Sequence, residues 1–299
     1  MGNGEFDPTA NSLLPTPHPT PHATPDSHLS AAEAALLSIK ICDPASGSGH
    51  FLLAAARRLG RALAQVRAGD DEPSPEQLRQ AVRDVVRRCI YAVDKNPLAV
   101  NLCKVALWIE SYAEGQPLTF LDHHIKCGDS LVGVFDLDAL RQGIPDAAYQ
   151  PLSGDDRKIA SALKRRNREE REGQLRLGEA AAVADLSDLA ALWRQLAEQP
   201  DSDVAAIRRK QALYAEAHGD RWRQLWTACN LWTAAFFLPA DRADGGGDAL
   251  VPTRGDVWDY LRRPRAVSAR LVGAADALAE EARFFHWPLE FPDVFWGSA

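Results

Sequence analysis

The chain has no long apolar run, no cysteine pairing and no excess of positive charge, and each absence removes a class of protein. Its longest apolar stretch, near Leu231 to Ala240, is far shorter than the roughly 20 residues a membrane-spanning helix needs. The start of the chain lacks the basic residues and apolar centre of a secretory signal. Cys42, Cys89, Cys103, Cys127 and Cys229 are odd in number and never fall in a C-x-x-C spacing. That argues against a disulfide framework and for reduced thiols in a cytoplasmic protein. The formal net charge is −7, so the chain as a whole is not an electrostatic DNA binder. Affinity for DNA needs a local patch or other regions. No internal repeat is visible. The two common phosphate-binding loops are also missing: there is neither a G-x-G-x-x-G nor a G-x-x-x-x-G-K-[ST].

What is present is a different loop. The 299 residues, 46% of them apolar, can fill one large or two modest domains. Leu36 to Cys42 reads as a strand, followed by Asp43-Pro44-Ala45-Ser46-Gly47-Ser48-Gly49. Phe51, Leu52, Ala55, Ala56 and Leu59 then recur at helical spacing. Strand, acidic Gly-rich turn and helix make a site for a nucleoside-bearing cofactor at the edge of a parallel sheet. No lysine follows the glycines; a carboxylate, Asp43, opens the turn instead and suits a ligand with a cationic end. Gly47 and Gly49 let the backbone approach closely, and the N–H groups that open the helix can hold a ligand carboxylate. Ammonium, carboxylate and nucleoside together describe S-adenosyl-L-methionine. Ser46 and Ser48 add backbone contacts. The plainer reading, a tight turn with no ligand, fits a lone Gly-x-Gly better than this string.

Two further acids agree. Cys89 to Asp94 reads as a second strand, and Asn96 with Pro97 opens a helix behind it. Asp94 is then placed to accept the hydroxyls of a ribose. It lies beyond the roughly 20 residues usual for such an acid in dinucleotide folds, because a further helix opened by Ser74-Pro75-Glu76-Gln77 intervenes. Thr119 to Cys127 reads as a third strand, followed by Gly128-Asp129-Ser130-Leu131. Asp129 is the candidate acceptor for the exocyclic amine of the cofactor adenine. Taken singly, Asp94 is an ordinary helix-entry acid and Gly128-Asp129 an ordinary turn. His123, His124 and Cys127 lack the matching pair that a metal site needs, and no metal ligand is assigned.

Elsewhere the pattern is helical. Met1 to His28 is rich in Pro, Thr and His and cannot bury a core, so residues 1–30 read as a disordered tail. Lys158 to Gln174 is highly charged and reads as a solvated helix. Asp185 to Glu198, Val204 to Phe237, Val257 to Leu261 and Ala266 to Phe284 read as helices, and Gly245-Gly246-Gly247 as a loop. Leu213, Trp222, Trp226, Leu231 and Phe236 read as buried contacts rather than a base-stacking platform.

Together, Asp43 to Leu53, Tyr91 to Pro97 with Val105 to Trp108, and Phe120 to Gly133 resemble the large adenine-N6 DNA methyltransferases. The closest group is that of fused restriction–modification and phage-exclusion (BREX-like) systems. The resemblance is strongest over Ala31 to Gly133 and weaker at Lys158 to Gln174 and Phe284 to Phe295. It implies a class I fold, S-adenosyl-L-methionine as methyl donor, and methylation of adenine N6 in duplex DNA after base flipping. It also implies an Asn-Pro-Pro-aromatic segment soon after Phe291-Pro292-Asp293-Val294-Phe295. No Asn-Pro-Pro occurs in the chain. The Phe-x-Tyr-Thr-Pro segment that the family places before the first motif is missing too, as is a target-recognition region. By that comparison the chain is an internal piece of a longer enzyme or a truncated product, and no catalytic residue is assigned.

The expectation is therefore an α/β, Rossmann-like partial sheet over residues 31–149. A mostly helical insertion follows over 150–285, and then 286–299, a segment leading toward the absent catalytic strand. Asp43, Ser46, Gly47, Ser48, Gly49, Asp94 and Asp129 are the candidate cofactor contacts. Duplex DNA is the expected partner, through regions largely outside this chain, with a second chain as the source of the catalytic strand. The rival readings are a non-catalytic cofactor-binding subunit or gene remnant, and a class I methyltransferase acting on RNA or a small molecule.

Overall fold

The computed structural model describes residues 30–176, 187–241 and 248–295. The Pro/Thr/His-rich tail and the Gly245 to Gly247 loop lie outside them.

Three parallel strands form one sheet in the order β1 (Ile41–Asp43), β2 (Ile90–Asp94), β3 (Ile125–Cys127). Helices α1 (Ala31–Ser38), α2 (His50–Ala68), α3 (Pro75–Cys89) and α4 (Pro97–Glu110) accompany it. The central strand β2 is buried almost throughout, which is why its sequence is a continuous apolar run rather than an alternating one. Its two faces go to different partners. Ile90 and Ala92 join Leu52, Leu63, Val85, Leu107 and Ile125 under the flanking helices. Tyr91 and Val93 point the other way, onto Phe285 and Phe291, as a period of two requires.

The rest is helical: α5 (Asp138–Gln142), α6 (Arg157–Arg176), α7 (Ser187–Glu198), α8 (Val204–Ala217), α9 (Asp220–Ala234), α10 (Arg254–Arg262), α11 (Ala269–Ala282), α12 (Trp287–Glu290) and α13 (Pro292–Phe295). Helices α5 to α12 share a second core built on Trp193, Leu196, Leu225, Leu231 and Leu289, while Val294 of α13 packs with Tyr91, Phe285 and Phe291. Val134, Leu137, Leu140, Ile144 and Tyr149 belong to this helical core rather than to the sheet.

Three expected elements differ. Leu36 to Cys42 is not one strand, because α1 occupies Ala31–Ser38 and β1 begins only at Ile41. Ser30 and Glu33 close a reciprocal capping box there, a local signal strong enough to start a helix. Thr119 to Cys127 is strand only from Ile125. The residues before it carry the His123 and His124 rings into the core, against Phe120 and Tyr91. Val204 to Phe237 is broken at His218 and Gly219 into α8 and α9.

Among the described residues no helix is long and apolar enough to cross a membrane.

Candidate functional site

The carboxyl ends of the three strands bring the predicted acids together. Asp43 ends β1, Asp94 ends β2, and Asp129 lies two residues past the end of β3. Asp43 stands beside Ala92 in register, and Asp94 beside Cys127. At roughly 4.8 Å between neighbouring strands, β1 and β3 lie about 10 Å apart, the span of a nucleoside.

The loop after β1 leans across onto β2. Ser46 N–H donates to Val93 O at 3.1 Å, and Gly47 N–H donates to Asp94 Oδ2 at 2.8 Å. The other Asp94 oxygen, Oδ1, accepts from Asn96 N–H at 2.8 Å. Each carboxylate oxygen has a second lone pair, so Asp94 holds the loop and can still accept from a ligand. Asp43 Oδ1 accepts from Ala45 N–H at 3.1 Å; nothing else among the described residues hydrogen-bonds to that carboxylate.

Gly49 is the residue on which the loop turns into α2. Its φ is +86°, and a Cβ there would lie 2.7 Å from Cys103 Sγ on α4. The Ser46 hydroxyl lies beside the same thiol, whose pKa burial pushes up to about 11. No side chain at the N-cap, Gly49, satisfies the first turn of α2, which leaves N–H groups there without an intrahelical partner. Ser48 Oγ lies 3.0 Å from His50 Nδ1 at that end.

Asp129 is held from two directions. Its backbone N–H donates to Arg283 O at 2.7 Å, and the residue forms a parallel bridge with Phe284. Farther along, Phe285 N–H donates to Val132 O at 2.8 Å and Trp287 Nε1–H to Ser130 O at 3.0 Å. The close pairing explains Gly133, where a Cβ would lie 2.0 Å from Phe285 O. Asp129 Oδ1 accepts from Leu131 N–H at 3.1 Å, and Oδ2 accepts from Lys95 Nζ at 2.9 Å. The Lys95 hydrogen bond holds the Asp129 carboxyl below its ordinary value.

All the predicted positions thus lie at one end of the sheet, with Ser46 beneath the loop rather than on its surface. Sequence reasoning missed Lys95, Cys103 and Arg283. Lys95 was findable as a cation immediately after the strand-end acid; Cys103 and Arg283 reach the site through tertiary packing and left no local mark. His123 and His124 are fully buried, and among the described residues no group of three His, Cys, Asp or Glu is placed to hold a metal.

The chain is thus of the α/β class, a small three-stranded parallel sheet with acids at the strand carboxyl ends among mostly helical structure. Within that class the chain is similar to two curated proteins. One is the adenine-specific methyltransferase PglX of Streptomyces coelicolor, 32% identical over 131 residues, which are 40% of this chain and 10% of that protein. The other is a putative type II restriction enzyme and methyltransferase, RM.MjaORFECS2P, of Methanocaldococcus jannaschii. It is 30% identical over 110 residues, 33% of this chain and 9% of that protein. The chain therefore spans about a tenth of the length of these curated relatives. No protein-family model and no solved structure matches it.

Proposed function

We propose that this chain is the cofactor-binding part of an S-adenosyl-L-methionine-dependent DNA adenine-N6 methyltransferase of a restriction–modification or phage-defence system. One observation carries the reading: three carboxylates and a two-glycine turn meet at the ends of consecutive parallel strands. Asp43 offers an open oxygen to the cofactor ammonium, and the first turn of α2 offers N–H groups to its carboxylate. Asp94 accepts the ribose hydroxyls through its remaining lone pairs, and Asp129 accepts from the adenine amine once Lys95 moves aside. Bound there, the cofactor supplies an electrophilic methyl group. The names of the partial relatives support the donor and the DNA substrate. The class I fold is supported by the strand order, in which β1 has β2 on one side and no described strand on the other. That open edge is where a strand from elsewhere, in a longer protein or a second chain, would carry the catalytic segment. A cytoplasmic location accords with the free thiols.

A second reading is a cofactor-binding subunit without catalysis of its own, favoured by the absence of any Asn-Pro-Pro string. Calorimetric titration with S-adenosyl-L-methionine tests what both share, with Asp43→Asn and Asp94→Ala as controls. Saturable binding weakened by both substitutions is expected. No binding by a folded sample refutes the cofactor role. Methyl incorporation into duplex DNA by this chain alone would eliminate the non-catalytic reading. Incorporation into RNA but not DNA would overturn the proposed substrate.

A further inference from the structure

The molecule is acidic overall, yet one corner is not. Between the last turn of α10 and the first turn of α11, residues Arg262 to Arg270 carry four arginines and no acid. Arg262, Arg263, Arg265 and Arg270 are all exposed, while Val267 is buried and fastens the corner to the helical core. Several arginines elsewhere face carboxylates: Arg57 with Glu110, Arg67 with Asp84, Arg166 with Glu170, Arg168 with Asp146. Arg263, Arg265 and Arg270 have no such partner among the described residues. The next acid along α11, Asp276, is turned inward, accepting from Asn230 Nδ2 at 2.8 Å and Thr227 Oγ1 at 3.3 Å. A fifth arginine adjoins the corner. Arg221 donates to Gln224 Oε1 at 3.1 Å, and Gln224 Nε2 donates to Leu261 O at 2.9 Å.

We infer that this arginine corner is a docking surface for the phosphate backbone of duplex DNA, so that the chain itself contributes to holding DNA. The chemistry selects the ligand class. Guanidinium groups bind phosphate oxygens in bidentate fashion, and unneutralised arginines on an acidic protein gain most from a regular polyanion. The corner contains no aromatic residue between Arg262 and Arg270, so it lacks the stacking platform by which single strands are held. Its contacts are to backbone and carry no sequence information. Its place fits the proposed reaction, on which this inference rests for the choice of DNA. α11 has 14 residues and leads through Arg283 to the Asp129 bridge. At about 1.5 Å per residue the corner lies about 20 Å from the adenine station, roughly six base-pair steps of about 3.4 Å.

The test is fluorescence anisotropy of a short labelled duplex with the full chain across a salt series. Three phosphate contacts give a log–log slope near −3, or about a 40-fold loss between about 50 and about 200 mM salt. The triple variant Arg263→Gln, Arg265→Gln, Arg270→Gln should flatten that slope and weaken binding at the low-salt end by at least about tenfold. A control of equal charge change, Arg157→Gln, Lys158→Gln, Arg165→Gln on α6, should leave most of the binding intact. Equal loss in both triples would overturn the inference in favour of diffuse charge, and no duplex binding at low salt would overturn it outright. Stronger displacement by single-stranded RNA than by duplex DNA would also count against it. Cofactor calorimetry on the same samples separates the two claims: intact cofactor binding without DNA binding removes this inference and leaves the proposed cofactor role standing.

Discussion

Gly47 and Gly49 are equivalent in the sequence motif, but replacing them with alanine should have unequal consequences. Both have positive φ, +53° and +86°. An alanine forced into the left-handed region costs about 1–2 kcal/mol, part of which is offset because alanine loses less chain entropy on folding. A Cβ on Gly47 would meet nothing within 4 Å, whereas one on Gly49 would lie 2.7 Å from Cys103 Sγ and 3.5 Å from Cys103 Cα. The cysteine has a single side-chain torsion and is fully buried on α4, so the sulfur has little room to move. Overpacking of this kind adds about 1–3 kcal/mol. Gly47→Ala should therefore destabilise by about 1 kcal/mol and Gly49→Ala by about 2–5 kcal/mol. Urea unfolding measures both, and a double-mutant cycle isolates the steric part. Cys103→Ala in the Gly49→Ala background should recover about 1–3 kcal/mol relative to additivity. Equal destabilisation by the two glycine substitutions, or additivity of Gly49→Ala with Cys103→Ala, would refute the packing argument.

Acid should destabilise the fold well before carboxylates titrate. His123, His124 and His286 are buried; desolvation holds the first two well below the ordinary histidine value and puts His286 at about 3. The unfolded chain takes up protons below about pH 6.5 while the native state cannot, so stability falls with pH by about 1.4 kcal/mol per unit for each ring. Urea midpoints should show a loss of about 4 kcal/mol between pH 7.5 and 5.5; a flat profile would contradict the burial. Lys95→Ala should raise the Asp129 carboxyl pKa, which a carboxyl NMR titration reads directly. Because the native value is depressed, that pair's stabilisation is present above the unfolded value near 3.9 and disappears as pH falls through the native one. On α4, Leu98, Leu102, Val105 and Ile109 form an exposed stripe that Tyr112 continues just past the helix end, with Leu98 at 70% and Ile109 at 73% exposure, beside a groove of about 360 Å³. Left uncovered, the stripe should drive self-association in sedimentation velocity, and Leu98→Lys with Ile109→Lys should reduce it while changing stability by no more than about 0.5 kcal/mol. A large loss of stability would show that the stripe packs inside the fold.

The legible parts were those with local causes. The capping box at Ser74 and Gln77, the Asn96 cap with Pro97 and the apolar run of β2 all act within a few residues, and each stands where the pattern places it. The strand-end acids were readable because a parallel sheet puts its polar residues where buried strands stop. The errors arose where neighbours in space decided the outcome. Leu36 to Cys42 is apolar enough for a strand, but β1 pairs only over three residues and the Ser30 box claims the rest. Thr119 to His124 is largely buried because Phe120, Leu121, His123 and His124 pack into the core, not because it is extended. The Lys95–Asp129 pair, the thiol beneath Gly49 and the return of Arg283 to Asp129 join residues far apart in the chain, and no periodicity records them.

The bridge between Asp129 and Phe284 sets an order of assembly. Trp287 reaches Ser130 across 157 positions, and the helical core lies between them in the chain. Closing so long a loop is slow relative to the local turns that join β1, α2 and β2. During synthesis the Asp43 and Asp94 strand ends can come together while the helices are still emerging from the ribosome, but one face of β2 stays bare until Phe285 and Phe291 arrive. The Asp129 station becomes complete only when residues 283–287 have been made and have folded back. A chain interrupted anywhere within the helical core would lose the Asp129 station and, with it, the Phe285 and Phe291 cover over Tyr91 and Val93.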